Sequence, residues 1–163
     1  MPALHQLDRS MKAMLLSFVV VLNLGMIIGL YYLRTTTHLS PASTIEHYNG
    51  SEESGDEMDI PDKYPKPVQE MLVTTHSHIL SLSVLFLALG GILWFSGSVR
   101  GGLKTFLMVE PIVSVGATFG SLLLIRFVDP VFVWVTMVSG ILMYASFFLV
   151  SAILIYDLAI RKP

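Results

Sequence analysis

Four apolar stretches constrain this chain more than any other feature of its sequence. They cover residues 13–33, 79–97, 105–125 and 131–156 and take up more than half of the chain. Each is long enough to cross a bilayer, which requires about 20 apolar residues in a helix. The pattern therefore predicts an all-α polytopic membrane protein with four transmembrane helices in an antiparallel bundle.

The composition excludes a soluble domain. Hydrophobic residues make up 53% of the 163 residues and charged residues 13%, and the mean hydropathy is +0.69. Cysteine is absent, which excludes disulfides, iron–sulfur clusters and thiolate zinc sites. The first apolar run is longer than a signal-peptide core and lacks a following cleavage motif, so we expect a retained first helix.

The apolar stretches and their flanks divide the chain into segments with a predicted sidedness. Six of the ten lysines and arginines flank the membrane helices on one side, and the other four lie on the side that carries the acidic loop. The positive-inside rule then places both termini in the cytoplasm, and we expect the protein to lie in the inner membrane. We expect membrane helices at 13–33, 67–97, 105–126 and 131–157. The expected cytoplasmic segments are the N-terminal lead at 1–12, a turn at 98–104 and the C-terminal tail at 158–163. The expected extracytoplasmic segments are an acidic loop at 34–66 and a turn at 127–130.

The loop at 34–66 contains two local signals. Its acidic run at 51–59 has the composition of a disordered segment and lacks the ligand spacing of a calcium loop. Pro65 and Pro67 then mark a helix start, and Glu70 follows in the turn where an acid suits the helix dipole. We therefore expect the second helix to begin before the membrane, near Pro67.

The first helix carries a packing signal at Asn23, Gly25 and Gly29. Glycines four residues apart allow a neighbouring helix to approach closely, and a buried Asn can form a hydrogen bond across the contact. A dimer interface would use the same features, but they favour packing within this chain.

His76 and His78 lie where the second helix enters the membrane from the extracytoplasmic side. Their spacing differs from the i, i+4 pair of metalloprotease helices. With Asp129 on the same side, they could bind a divalent metal, hold haem b, or close the outer helix ends by hydrogen bonds. The third and fourth helices contain no histidine. A second haem ligand would therefore come from His38, His47, a methionine or another subunit.

Glu110 is an acidic residue inside the third predicted helix. Hydroxyl side chains continue its face towards the outer side, namely Ser114, Thr118 and Ser121. An acid within the membrane is costly and is normally paired or functional. In one interpretation Glu110, about 9 Å along the helix from Lys104, pairs with a base near the cytoplasmic surface, either Lys104, Arg100 or Arg161. In the other, Glu110 is part of a proton or ion pathway.

Four short stretches carry a resemblance. They read TIEHYNG at 44–50, EMLVTTHSHILS at 70–81, LMVEP at 107–111 and VSGILM at 138–143. Together they resemble a family of small, uncharacterised four-helix bacterial membrane proteins, and the resemblance covers most of the chain from residue 44 onward. It implies the four-span architecture and no particular activity. Some members carry an automatic "elongation factor" label, which the chain does not support because it has no GTP-binding loop.

These observations favour a non-enzymatic integral membrane subunit or interaction protein. Its expected partners are the lipid bilayer and other membrane or extracytoplasmic subunits, and no feature suits nucleic acid. In this hypothesis the patch at His76 and His78 and the acidic loop contact a partner. The alternatives are a haem- or metal-binding redox protein that uses the same patch, and a small proton or ion pathway through Glu110.

Overall fold

The computed structural model describes residues 4–51 and 63–161. Within these residues the chain is all-helical, and four of the helices are long and apolar enough to cross a membrane. This confirms the predicted all-α, four-span fold. The α-helices are α1 (Arg9–Thr37), α2 (Pro41–Asn49), α3 (Val68–Trp94), α4 (Gly101–Phe127) and α5 (Val133–Ile155), with shorter helical turns at Leu4–Gln6, Pro130–Phe132 and Tyr156–Ile160. The acidic run predicted to be disordered lies outside the described residues, except for Ser51.

The first long helix extends beyond the predicted span at both ends. It begins at Arg9 because Asp8 caps it, with Oδ2 accepting hydrogen bonds from the backbone amides of Ser10 at 3.0 Å and Met11 at 3.2 Å. It ends at Thr37, where His38 and Leu39 adopt left-handed φ angles of 49° and 54°. These two residues turn the chain sharply into α2.

The helix α2 lies inside the predicted extracytoplasmic loop and was not predicted. Ser40 caps it by accepting a hydrogen bond from the amide of Ser43 at 3.1 Å, and a proline occupies its first turn. The helix ends at Asn49 and is followed by Gly50, whose φ is 87° and where an added Cβ would lie 2.9 Å from the carbonyl oxygen of Lys63. α2 packs against α1, α4 and α5. We call this end of the bundle the outer end and the opposite end the inner end, following the predicted topology.

The helices α4 and α5 form the centre of the bundle. An apolar 18-residue stretch was compared in each long helix. It is 11% buried in α1, 22% in α3, and 39% in both α4 and the segment that contains α5. α3 packs mainly on α4, whereas α1 packs on α5. Phe86 of α3 meets Phe147 of α5 edge to face at 6.2 Å in the main apolar core. Polar side chains between α4 and α5 are therefore enclosed on several sides.

Of the two glycines that the sequence suggests for packing in α1, Gly29 lies against another helix and Gly25 does not. Gly29 faces α5, where an added Cβ would lie 3.3 Å from the Tyr144 hydroxyl oxygen, whereas no atom lies within 4 Å of an added Cβ at Gly25. Asn23 Nδ2 donates to the carbonyl oxygen of Val19 at 2.8 Å. This hydrogen bond is internal to α1 rather than across a helix contact, because the amide lies within reach of the carbonyl one turn earlier.

Candidate functional site

Glu110 lies at the interface between α4 and α5. Ser114 Oγ donates to its Oε1 at 2.5 Å, and Ser146 Oγ of α5 donates to its Oε2. Both serines are buried. Glu110 is the tenth residue of α4, which places its Cα about 14 Å from the start of the helix at 1.5 Å per residue. Glu110 itself is half-buried, and the hydroxyl groups of two buried serines hold its carboxyl group.

Of the two interpretations of Glu110, the pairing with a basic residue is not observed, since no salt bridge within residues 4–51 and 63–161 involves Glu110. Lys104 Nζ donates instead to two backbone carbonyls at the end of α3, at 2.6 and 3.0 Å. Arg161 pairs with Asp157 at 3.3 Å. These cations satisfy polar groups at the bundle end, whereas the Glu110 side chain contacts the following turn of its helix.

Paired hydroxyl groups continue this interface from Glu110 towards the outer end. Thr118 Oγ1 donates to Ser139 Oγ at 2.8 Å, and Ser121 Oγ and Thr136 Oγ1 lie 2.6 Å apart in a further hydrogen bond. All four side chains belong to buried residues. We call the whole set the polar seam; its members are Glu110, Ser114, Thr118, Ser121, Thr136, Ser139 and Ser146.

The α4 half of the polar seam was predicted from the sequence, whereas the α5 half was not. Thr136, Ser139 and Ser146 are spaced by three and seven residues, which places them on one helical face. That spacing on an otherwise apolar helix was the available signal. It distinguishes a polar face but does not identify the helix that this face contacts.

Pro111 leaves one backbone carbonyl of α4 without its helical hydrogen bond. It lies inside α4 and has no backbone N–H, so the carbonyl of Leu107 lacks its usual helical donor. Leu107 and Pro111 are both buried. Membrane helices tolerate such a proline when neighbouring groups satisfy the freed carbonyl. The surroundings of Glu110 therefore combine a carboxyl group and two hydroxyls with a carbonyl that is released from the helix ladder.

On the inner side of Glu110 the interface becomes apolar. Val150 and Leu154 continue the face of Ser146 at helical spacing, and both are buried. Ser151 is buried nearby along α5, and its Oγ has no hydrogen-bond partner among the described residues. The hydroxyl pairs of the polar seam therefore lie on the outer side of Glu110, whereas Val150 and Leu154 occupy the same face of α5 on its inner side.

The histidine patch lies on α3 and is exposed within the chain. His78 Nδ1 donates to the carbonyl oxygen of Thr74 at 2.8 Å, and its ring stacks on Phe119 of α4 with centroids 4.7 Å apart. Asp129 Oδ1 accepts a hydrogen bond from the backbone amide two residues later. In residues 4–51 and 63–161, no three His, Asp or Glu side chains come close enough to hold a metal ion. His76, His78 and Asp129 are therefore not brought together as a ligand set.

A second polar cluster, at the inner end, was missed by sequence reasoning. Asp157 is completely buried in the helical turn that follows α5. Its carboxylate accepts hydrogen bonds from Ser96 Oγ at 2.5 Å, from Ser98 Oγ, and from Arg161 Nη1 at 3.3 Å. This cluster, which we call the inner clasp, ties the turn between α3 and α4 to the end of α5.

The outer end carries a small group of titratable side chains around α2. Burial lowers the pKa of His47 below its ordinary value of 6.5, and the positive charges of Lys66 and Lys63 lower it further. Burial raises the pKa of Tyr48 to about 12. Lys66 Nζ also pairs with Glu70 at 2.6 Å. The folded outer end therefore favours the neutral form of His47.

A family model described as a transmembrane helical domain matches residues 38–163, which include α2 to α5 and the whole polar seam. No curated protein and no solved structure matches the chain. The match supports the resemblance to a membrane protein family that the sequence indicated.

Proposed function

Because the chain belongs to this family of transmembrane helical domains, we propose that it is a non-enzymatic integral membrane subunit that binds and releases a proton at Glu110. One observation carries the proposal. Both carboxyl oxygens of Glu110 accept hydrogen bonds from serine hydroxyls, and Glu110 forms no salt bridge within the described part of the chain.

Serine hydroxyls suit a group that changes its protonation state. A hydroxyl can donate a hydrogen bond and can also accept one, and it rotates to do either. Ser114 and Ser146 can therefore donate to the carboxylate, and one of them can accept from the carboxylic acid. A lysine or arginine in their place would stabilise only the carboxylate. The arrangement supports reversible protonation rather than a permanent ion pair.

The polar seam supports access to Glu110 from the outer end. Hydroxyl pairs lie on the outer side of Glu110, whereas the apolar side chains of Val150 and Leu154 lie on its inner side. The distribution of lysines and arginines favours an orientation with both termini in the cytoplasm. In that orientation the proton enters from the extracytoplasmic side. A site with access from one side suits a subunit that responds to external acidity or passes the proton to a partner.

We place the contact with other subunits at the histidine patch. His76 and His78 are exposed in the chain, and stacking on Phe119 of α4 fixes the ring of His78. A fixed, exposed imidazole can form a specific hydrogen bond with a partner protein. His78→Ala should therefore weaken a co-purifying complex while the purified protein remains folded and colourless.

One observation favours haem or metal binding as a second candidate function. Because His78 Nδ1 is bonded to the Thr74 carbonyl, Nε2 is the nitrogen left to bind a metal, and such a second hydrogen bond is typical of ligating histidines. An ultraviolet–visible spectrum and metal analysis of gently purified protein test this. A Soret band or stoichiometric metal that His78→Ala removes would favour this function.

Labelling of Glu110 tests the proposed function. Dicyclohexylcarbodiimide is an apolar reagent that reacts with protonated carboxyl groups within membranes. In proteoliposomes of the full chain, it should modify Glu110, and the yield should fall as the external pH rises. Glu110→Gln should abolish that adduct, and the matched control Glu46→Gln, at the outer surface, should leave it unchanged. Labelling of Glu110 that is absent at every pH, or independent of pH, would contradict the proposal.

A further inference from the structure

An apolar cleft lies between α3 and α4 in the inner half of the bundle. Its volume is about 310 Å³. Its lining includes Phe86, Leu87, Gly90, Gly91 and Trp94 of α3 and Met108 of α4. On α3 the lining extends from Phe86 to the end of the helix at Trp94, a rise of about 12 Å along the helix axis. The cleft is therefore elongated along the expected direction of the lipid chains.

Two glycines make the cleft possible. An added Cβ at Gly90 would lie 3.7 Å from Met108 of α4, and an added Cβ at Gly91 would meet no atom within 4 Å. Gly91 is exposed, as are the neighbouring cleft residues Leu87 and Trp94. The cleft therefore opens to the outside of the bundle between these side chains.

A positive charge lies at the inner mouth of the cleft. Lys104 Nζ is 5.8 Å from the centroid of the Trp94 ring and donates to the carbonyls of Trp94 and Ser96. An ammonium group has three donors, so a third hydrogen remains for another acceptor. Arg100, four residues earlier at the start of α4, is exposed and forms no salt bridge within residues 4–51 and 63–161.

We propose that this cleft binds one anionic glycerophospholipid, with an acyl chain along Gly91 and the phosphate against Lys104. The apolar lining matches the chain, and the ammonium group matches the charge of the headgroup. Tryptophan is typical of the membrane–water interface, so Trp94 sets the mouth at the depth of a lipid phosphate. Basic residues at that depth attract anionic lipids. The charge of Lys104 selects an anionic lipid over a zwitterionic one, and Arg100 strengthens this preference.

Native mass spectrometry of the full chain in detergent tests the proposal. The protein is mixed with equal amounts of phosphatidylglycerol and phosphatidylcholine, and bound lipid is counted. We expect one phosphatidylglycerol per chain. Gly91→Leu should fill the cleft and abolish this adduct, whereas the matched control Gly116→Leu, at another open glycine on α4, should retain it.

Replacement of Arg100 provides a second test of phosphatidylglycerol binding. Arg100→Gln should weaken phosphatidylglycerol binding about fivefold, since one basic residue near an anionic lipid surface contributes about 1 kcal/mol. Equal melting temperatures for Gly91→Leu and Gly116→Leu establish that both variants are folded. Equal retention of the two lipids, an adduct that survives Gly91→Leu, or a dimer that replaces the lipid adduct would overturn the proposal.

Discussion

The inner clasp provides the sharpest stability prediction, through the replacement Asp157→Ala. This change removes the acceptor of the hydrogen bonds from Ser96, Ser98 and Arg161. The Asp157 side chain is 1% exposed and the Arg161 side chain 30% exposed. Water therefore cannot replace the carboxylate at its own position, but it can still reach the arginine.

The free-energy cost of Asp157→Ala depends on the hydrogen-bond donors that lose their acceptor. A hydrogen bond to a charged group contributes about 1.5–3 kcal/mol, and breaking a buried pair costs about 3–5 kcal/mol. Because Ser98 and Arg161 both reach solvent, we take the lower bound of about 3 kcal/mol for the whole clasp. In a protein of this size, about 2–4 °C is lost per kcal/mol, so the melting temperature should fall by about 6–12 °C.

Thermal unfolding of the full chain in detergent, followed by circular dichroism, measures this effect. Ser98→Ala is the matched control because it removes one donor and leaves the carboxylate bonded to Ser96 and Arg161. It should lower the melting temperature by about a third as much, on the same scale. If Asp157→Ala melts within about 2 °C of the wild-type protein, the clasp does not stabilise the inner end and the reasoning is refuted.

Three further predictions concern other parts of the bundle. Because the folded pKa of His47 lies below 6.5, the unfolded state binds more protons below that pH, and stability should fall as the pH drops through the folded pKa. Melting temperatures measured across this range should show that loss, and His47→Gln should reduce it. Gly29→Leu should cost about 1–3 kcal/mol by overpacking against Tyr144, whereas Gly25→Leu, with open space around it, should not lower the melting temperature. Thr118→Val should cost only about 0.6 kcal/mol, the usual size of a hydrogen bond between membrane helices, and a cost above 2 kcal/mol would contradict this.

The four long helices follow from the sequence because length and hydropathy alone determine whether a segment can cross a bilayer. The α4 half of the polar seam follows from helical spacing, since Ser114 and Thr118 lie one and two turns from Glu110. These two signals are local, and each is complete within one segment of the chain.

The partners across helices did not follow from the sequence. The spacing of Thr136, Ser139 and Ser146 distinguishes a polar face on the otherwise apolar α5 helix, but it does not identify α4 as the helix that this face contacts. Asp157 lies at the end of that apolar run, and its serine partners lie about sixty residues earlier in the chain. The nine-residue helix α2 is too short for a strong periodic pattern, and its capping serine and first-turn proline were its main signals.

Infrared difference spectroscopy of the full chain in lipid vesicles is the most direct test of proton binding at Glu110. Spectra are recorded as the external pH is stepped, and the carbonyl stretch of a protonated carboxylic acid is followed. We expect a band that disappears as the pH rises, is absent in Glu110→Gln, and shifts in frequency in Ser146→Ala because one hydrogen bond to the carboxyl group is lost. A spectrum of the wild-type protein that matches Glu110→Gln at every pH would show that Glu110 does not exchange a proton.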